Sequence, residues 1–212
     1  MSASTTAMAT TTSKYANSGF WERLWRMSGI NFVVFAIIAA VIYGQGDRTR
    51  TLVAAVIAGM AILNLLWFAA AIRTTLADAG QDGWGAAETA ASSAVGVLFL
   101  LLIALCAAQP LSSELNDFAW AGFVLSSFPR AMLIMAGTFG FWRAKLISNS
   151  QFASGVAVVA LVLLGGTTWM SEGFWAPDGS YSQFFSPIIS LVWVLAVSRV
   201  LLARSPATRS GW

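Results

Sequence analysis

An arginine lies inside a long apolar stretch of the chain, in the sequence SSFPRAML at residues 126–133. Arg130 is twelve residues from Phe118, where that stretch begins, and this spacing corresponds to a depth of roughly 18 Å along a helix. At the centre of a lipid bilayer, a charged side chain costs at least about 2.5–3.5 kcal/mol. We therefore expect Arg130 to face the inside of the protein and to bind hydrogen-bond acceptors there.

Asn64 is the first of the polar groups that can meet this arginine. It lies twelve residues from Leu52, where another apolar stretch begins, so both side chains have the same nominal depth. The amide oxygen of Asn64 can accept a hydrogen bond from the guanidinium. No carboxylate has a matching depth, because Glu88 falls at the edge of its own apolar stretch. A cation without a matching anion indicates either a hydrogen-bonded cage or an anionic ligand.

The residues just before Arg130 supply further acceptors. Pro129 has no backbone N–H, so it leaves the carbonyl near Leu125 without its helical donor. Ser126 and Ser127 add two hydroxyl groups within one turn of the arginine. The sequence thus places a guanidinium, two hydroxyls and a free carbonyl at one point of one helix.

These residues allow three interpretations. In the first, Arg130, Asn64, Ser126, Ser127 and Pro129 form a polar clamp that orders the helices. In the second, the same group binds an anion or a polar head group. In the third, the helix is broken at Pro129 and the arginine faces a water-filled cavity, as broken helices do in transporters.

Catalysis has little support in the sequence. The chain contains no histidine, which is the commonest general acid–base residue and metal ligand. Glu88 with Asp78 or Asp82 is the one cytoplasmic group of carboxylates, and we interpret it as a solvated loop. No Walker motif, nucleophile elbow or zinc-ligand spacing is present. We therefore predict a protein that is not an enzyme and holds no cofactor or metal.

The composition indicates which solvent surrounds the elements that position these residues. Hydrophobic residues make up 58% of the 212 residues and charged residues 10%, with a mean hydropathy of +0.72. Soluble domains carry about 25% charged residues. Lipid is therefore the predicted environment, and the pI of about 9.5 reflects orientation in the membrane. We predict no nucleic-acid partner, because no basic cluster is interleaved with exposed aromatic residues.

Six apolar stretches organise the chain, near residues 28–44, 52–72, 88–109, 118–142, 152–170 and 185–203. A helix needs about 20 apolar residues to cross roughly 30 Å of hydrocarbon. The stretches are continuous rather than alternating, which favours helices over a barrel. The predicted fold is all-α, a bundle of six transmembrane helices within residues 20–204. Residues 1–19 are predicted to be a disordered cytoplasmic tail and residues 205–212 a loose cytoplasmic C-terminus.

The positive charges predict the orientation, since Lys and Arg gather on the cytoplasmic side. With a cytoplasmic N-terminus, the other side holds only Arg48 and Arg50. The cytoplasmic side then holds eight, namely Lys14, Arg23, Arg26, Arg73, Arg143, Lys145, Arg204 and Arg209. We predict a multi-pass protein of the bacterial inner membrane with both termini in the cytoplasm.

One stretch resembles a known family. The sequence FPRAMLIMAGTFGFWRAKLISNSQFASGVAVVALVLLGG, at residues 128–166, is similar to a family of uncharacterised bacterial multi-pass membrane proteins that share a domain of unknown function. It differs from that family at SNSQ, where a proline and a tryptophan are usual. The resemblance implies a helical bundle in the inner membrane and carries no activity.

Two functions remain open on the sequence alone. The first is a non-enzymatic membrane protein that acts as an accessory subunit or binds a small amphipathic ligand among its helices. The alternative is a transporter or exporter of a small solute or amphipathic anion, with Arg130 in its path. The predicted partners are the lipid bilayer and either another membrane protein or a second copy of the chain.

Overall fold

The structure is a computed structural model that describes residues 25–43, 47–108 and 113–203. In these ranges every regular element is helical, which confirms the all-α prediction. A π-helical turn, Tyr181–Phe185, leads directly into the last helix. The helices are α1 Ser28–Tyr43, α2 Arg48–Asp78, α3 Asp82–Ala107, α4 Ser113–Leu125, α5 Ser127–Arg143, α6 Asn149–Gly165 and α7 Ser186–Ala203. The tails predicted at 1–19 and 205–212 lie outside the described residues.

Four helical segments are long and apolar enough to cross a membrane. They are Arg48–Asp78, Asp82–Ala107, Glu114–Arg143 and Tyr181–Ala203. The third of these combines α4 with α5. The helices α1 and α6 are apolar but shorter, with 16 and 17 residues. At 1.5 Å per residue they measure about 24–26 Å, slightly less than the hydrocarbon thickness.

Several helix ends differ from the apolar boundaries, and α2, for example, extends six residues beyond the predicted end at 72. Helix α3 begins at Asp82, six residues before the predicted boundary at 88, because the alanine-rich sequence there favours a helix although it is less apolar. Gly85 permits this extension to pack closely, since a Cβ there would lie 3.3 Å from the Cα of Arg73. Helix α6 ends at Gly165, five residues before the predicted end. Two glycines and two threonines follow one another there and are poor helix formers.

Helix α5 lies among α2, α3, α6 and α7. Small residues allow these neighbours to approach closely. A Cβ at Gly137 would lie 2.8 Å from the ring of Trp193 on α7, and a Cβ at Gly155 on α6 would lie 2.7 Å from Oγ1 of Thr138. The Nε1 of Trp193 donates a hydrogen bond to that same Oγ1, at 3.0 Å. The position of α5 is therefore set by close contacts on several sides.

The beginning of α1 packs against the end of α7. The Cα of Gly29 lies so close to Ser198 and Phe68 that a side chain there would collide with both. Just before α1, Nη1 of Arg26 donates to the carbonyl of Leu201, at 3.0 Å. The Nε1 of Trp25 donates to the carbonyl of Trp67, at 2.8 Å. These contacts close one end of the bundle, where the beginning of α1 meets the end of α7 and also contacts α2 at Trp67 and Phe68.

Helices α2 and α5 end in the same backbone motif with different residues. Each is followed by a residue with a left-handed backbone, which is Gly80 with φ 71° after α2 and Lys145 with φ 56° after α5. At the α5 end, the N–H of Lys145 donates to Trp142 at 2.9 Å, and the N–H of Leu146 donates to Phe141 at 2.8 Å. This is the Schellman pattern, in which glycine is the usual left-handed residue.

Candidate functional site

A single residue, Ser126, separates α4 from α5. Backbone hydrogen bonds continue across it, from the N–H of Ser126 to Gly122 at 3.0 Å and from the N–H of Arg130 to Ser126 at 3.1 Å. Pro129 has no N–H to offer to the carbonyl of Leu125, four residues earlier. The interruption therefore lies three residues before the proline, and the two helices continue as one apolar segment.

Arg130 is buried at this junction, with 7% of its surface exposed. Its Nε donates to the carbonyl of Ser126 at 3.3 Å, and its Nη2 donates to Oγ of Ser127 at 2.9 Å. The guanidinium carbon lies 5.3 Å from the centre of the Phe123 ring, a distance that permits a cation–π interaction. No carboxylate of the described residues pairs with it.

The third nitrogen of this guanidinium is open. Nη1 carries two N–H donors, and it makes no hydrogen bond with any described residue. The fully buried side-chain N and O atoms without a partner, in the part of the chain that the structure describes, are Oε2 of Glu88 and Oγ of Ser186. Nη1 of Arg130 is not one of them, so it keeps some accessible surface, and Arg130 lines a cavity.

That cavity has a volume of about 560 Å³ and lies between α1, α2, α3, α5 and α7. Its volume is within the range of roughly 300–1,000 Å³ that is typical of small-molecule sites. Arg130 is the one charged residue among the described residues that line it. The walls are mostly aliphatic and aromatic, as shown by Phe32, Ile62, Leu65, Phe99, Leu133 and Leu191. The arrangement is an apolar chamber with one cation in its wall.

Asn64 lies apart from this group. It is mostly buried on α2, and its amide nitrogen donates to the carbonyl of Met60, one turn earlier, at 2.8 Å. It makes no hydrogen bond with Arg130 and does not line the cavity. The structure thus brings Ser126, Ser127, Pro129 and Arg130 together at the α4–α5 junction and leaves Asn64 outside. Equal depth along two helices does not determine which way each side chain points around its helix.

Glu88 is a buried polar residue, and the prediction of a solvated loop is wrong for it. It was placed with Asp78 and Asp82 in a solvated loop, and those two are exposed, but Glu88 is fully buried. The reason is that α3 begins at Asp82, so Glu88 lies six residues inside the helix. Its Oε1 accepts a hydrogen bond from Oγ of Ser92 at 2.9 Å, whereas Oε2 has no partner. The spacing of Glu88 and Ser92, four residues apart, was the available signal, since such residues share one helix face.

The chemistry available to this site is recognition of an anion. Within residues 25–43, 47–108 and 113–203, no group of three or more His, Cys, Asp or Glu side chains is arranged to hold a metal ion. The one cysteine, Cys106, is a free thiol in the cavity wall. A guanidinium with open donors in an apolar chamber suits a carboxylate or phosphate, which accept charge-assisted hydrogen bonds.

Comparison of the chain with protein-family models, with curated proteins and with solved structures gave no match. The resemblance of residues 128–166 to the family of multi-pass membrane proteins therefore stays a prediction.

Proposed function

We propose that this protein is a non-enzymatic, multi-pass membrane protein that binds a small amphipathic anion among its helices. The head group of the ligand binds Arg130, and its apolar part occupies the cavity of about 560 Å³. The observation that supports this proposal most directly is Nη1 of Arg130, which has no acceptor among the described residues, in the wall of a chamber whose other described lining residues carry no charge.

The physical reason is the free-energy cost of burying a guanidinium that has no anionic partner among the described residues. Ser126 and Ser127 accept two hydrogen bonds from the guanidinium, but neither residue carries a negative charge. An anionic head group adds charge-assisted hydrogen bonds, each worth about 1.5–3 kcal/mol. Because the apolar part of the ligand moves from lipid into an apolar chamber, it contributes little selectivity. We therefore expect an anion to bind roughly 10- to 100-fold more tightly than a neutral molecule with the same chain.

The proposed placement in the membrane includes six crossings. Besides the four long segments, the shorter helices α1 and α6 cross the bilayer, since both are apolar and pack against long neighbours. Both termini are cytoplasmic, in keeping with the distribution of Lys and Arg along the chain. The membrane is the inner membrane of a bacterium, and the lipid bilayer is the first partner of the protein.

A transporter of the same amphipathic anion is the second candidate, because Arg130 lies in the wall of a cavity. Transport requires access to the arginine from both sides of the membrane in turn. In this structure the contact of Gly29 with Ser198 closes one end between α1 and α7. Arg130-dependent flux of palmitate across proteoliposomes would favour transport, whereas binding without flux favours the first proposal.

The test is a binding experiment on the purified protein in lipid nanodiscs with radiolabelled palmitate. We expect saturable binding by the parent protein and a loss of at least about tenfold in affinity for Arg130→Met. Arg73→Met is the matched control, because Arg73 is an exposed arginine outside the cavity. Hexadecanol supplies the same chain without the charge and should bind the parent weakly. Equal palmitate binding by the parent and a folded Arg130→Met variant would contradict the proposal.

A further inference from the structure

The walls of the cavity differ in how far they are exposed on the outside of the protein. Every cavity-lining side chain on α2, α3, α4 and α5 is buried or half-buried. Only α1 and the segment formed by the π-helical turn and α7 contribute lining side chains that are also exposed. The large ones are Ile37 at 51%, Val41 at 62%, Tyr43 at 43%, Phe184 at 57% and Ile188 at 55%, and Ala40 and Gln183 are exposed beside them. A side chain that both lines a cavity and faces outward marks the rim of an opening.

This rim lies where α1 and α7 no longer touch closely. The two helices run in opposite directions and meet at Gly29 and Ser198. Ile37 is eight residues beyond Gly29, and Ile188 is ten residues before Ser198. At 1.5 Å per residue, the rim is about 12–15 Å from the closed end. The cavity therefore opens sideways, between the C-terminal half of α1 and the N-terminal half of α7.

The chemistry of the rim indicates what lies outside it. Of the exposed lining residues, Ile37, Ala40, Val41, Phe184 and Ile188 are apolar, Tyr43 and Gln183 carry a polar group, and none is charged, whereas charged and polar residues are typical of surfaces that face water. Phe184 belongs to the π-helical turn, and such turns occur frequently at functional sites. The hydroxyl of Tyr181 holds this turn against α6 by donating to the carbonyl of Leu161 at 2.7 Å. A mostly apolar, exposed rim suits contact with hydrocarbon.

We infer that the cavity opens into the lipid between α1 and α7 and that its occupant is a single-chain lipid anion taken from the bilayer. This inference rests on the proposed function and adds the access route and the ligand class. The charge follows from Arg130, the one charged residue among the lining residues that the structure describes. One chain follows from the volume of about 560 Å³, which is typical of one drug-sized molecule and is too small for a two-chain phospholipid.

The test narrows the opening without changing the arginine. In the double variant Val41→Trp, Ile188→Trp, two bulky rings stand at the rim. The matched control is Val34→Trp, Val192→Trp, because these valines are similarly exposed, at 47% and 58%, on the same helices but do not line the cavity. Exchange of radiolabelled palmitate is followed in nanodiscs. We expect the rim variant to bind and release palmitate at least about fivefold more slowly than the control, with less than about a twofold change in Kd.

Each outcome decides between the claims. If the rim variant binds palmitate and exchanges it at the control rate, the access route is wrong and the proposed function stands. If the parent protein shows no Arg130-dependent palmitate binding, both claims fall. If dioleoyl phosphatidic acid displaces palmitate as well as free oleate does, the restriction to one chain is wrong. Where the double variant does not fold, Val41→Trp is compared with Val34→Trp by the same criteria.

Discussion

At the scale of single residues, the guanidinium of Arg130 has one part bound by neighbouring residues and one part without an acceptor among the described residues. Its Nε and Nη2 hold acceptors from Ser126 and Ser127, as a structural clamp would. Under the proposed function, its Nη1 is the group that binds the ligand. The clamp therefore fixes the orientation of the guanidinium before any ligand arrives, and a preorganised binding group loses less entropy on binding.

Glu88 supplies a stability prediction at the same scale. A buried carboxylate that is ionised without a cation costs several kcal/mol. Glu88→Gln keeps an acceptor for Ser92 and cannot carry a charge, so we expect its stability to equal or exceed that of the parent. Glu88→Ala leaves a void and an unpaired Ser92 hydroxyl, so we expect a loss of about 2–4 kcal/mol. Thermal unfolding in detergent measures both.

If Glu88→Gln proved as unstable as Glu88→Ala, the negative charge itself would be required for stability. That result would mean that a cation binds Oε2 of Glu88, which has no partner among the described residues.

The sequence predicts part of this site and misses the rest for identifiable reasons. The group around Arg130 follows from neighbours in the chain, because Ser126, Ser127 and Pro129 are within one helical turn. Asn64 is on a different helix, and the rotation of that helix depends on packing that no single stretch encodes. Glu88 was misplaced because apolarity, rather than helix propensity, was used to choose the start of its helix.

At the scale of helices, close contacts at glycines determine how α5 sits against its neighbours. Gly155 on α6 faces Thr138, and Gly137 on α5 faces the ring of Trp193 on α7. These contacts place the α4–α5 segment, and with it Arg130. By contrast, a Cβ at Gly59 on α2 would have no heavy atom within 4 Å. The same residue type thus has a packing role at some positions and none at others.

This difference predicts opposite effects of the same substitution. Gly155→Ala introduces a methyl group against Thr138, so we expect a loss of about 1–3 kcal/mol from overpacking. Gly59→Ala meets open space in a helix interior, so we expect a gain of up to about 1 kcal/mol from helix propensity. Thermal unfolding of the two variants in the same detergent is the measurement. Equal destabilisation by both would show that α5 and α6 are not packed as described.

The presence of the helices can be predicted from the sequence, whereas the residues at which they begin and end are harder to predict. Continuous apolar stretches predicted all the segments, since crossing lipid demands about 20 apolar residues. The sequence predicts a possible break at Pro129, whereas the structure has the interruption three residues earlier, at Ser126. The proline explains why the backbone hydrogen bond to the carbonyl of Leu125 is missing. The position of the interruption also depends on the carbonyl of Ser126, which accepts a hydrogen bond from the side chain of Arg130.

At the scale of the whole molecule, the bundle is closed at one end of the α1–α7 pair and open at the other. With the orientation proposed from the Lys and Arg distribution, the closed end lies toward the cytoplasm and the opening toward the outer leaflet. The ligand would then be collected from one leaflet of the bilayer.

The six-crossing arrangement predicts which exposed loops share a side. In a Cys106→Ala background, single cysteines at Asp78, Glu114 and Glu172 are labelled in intact cells with a maleimide that does not cross membranes. We expect labelling at Glu114 and Glu172 and protection at Asp78, because α3 and α6 each cross the membrane once. All three carboxylates are exposed. Protection at Glu172 together with labelling at Glu114 would mean that the short helix α6 does not cross.

Lys145 has a left-handed backbone conformation and also carries a positive charge. Glycine is the residue that adopts this conformation without steric cost, and at the end of α2 the chain uses Gly80. After α5 the chain carries a lysine with the same backbone, at a local cost of roughly 1–2 kcal/mol. In the proposed orientation this loop is cytoplasmic, and a positive charge favours that side during membrane insertion. The lysine thus adds backbone strain to the folded protein, while its charge favours the proposed orientation at the time when the new chain is inserted into the membrane.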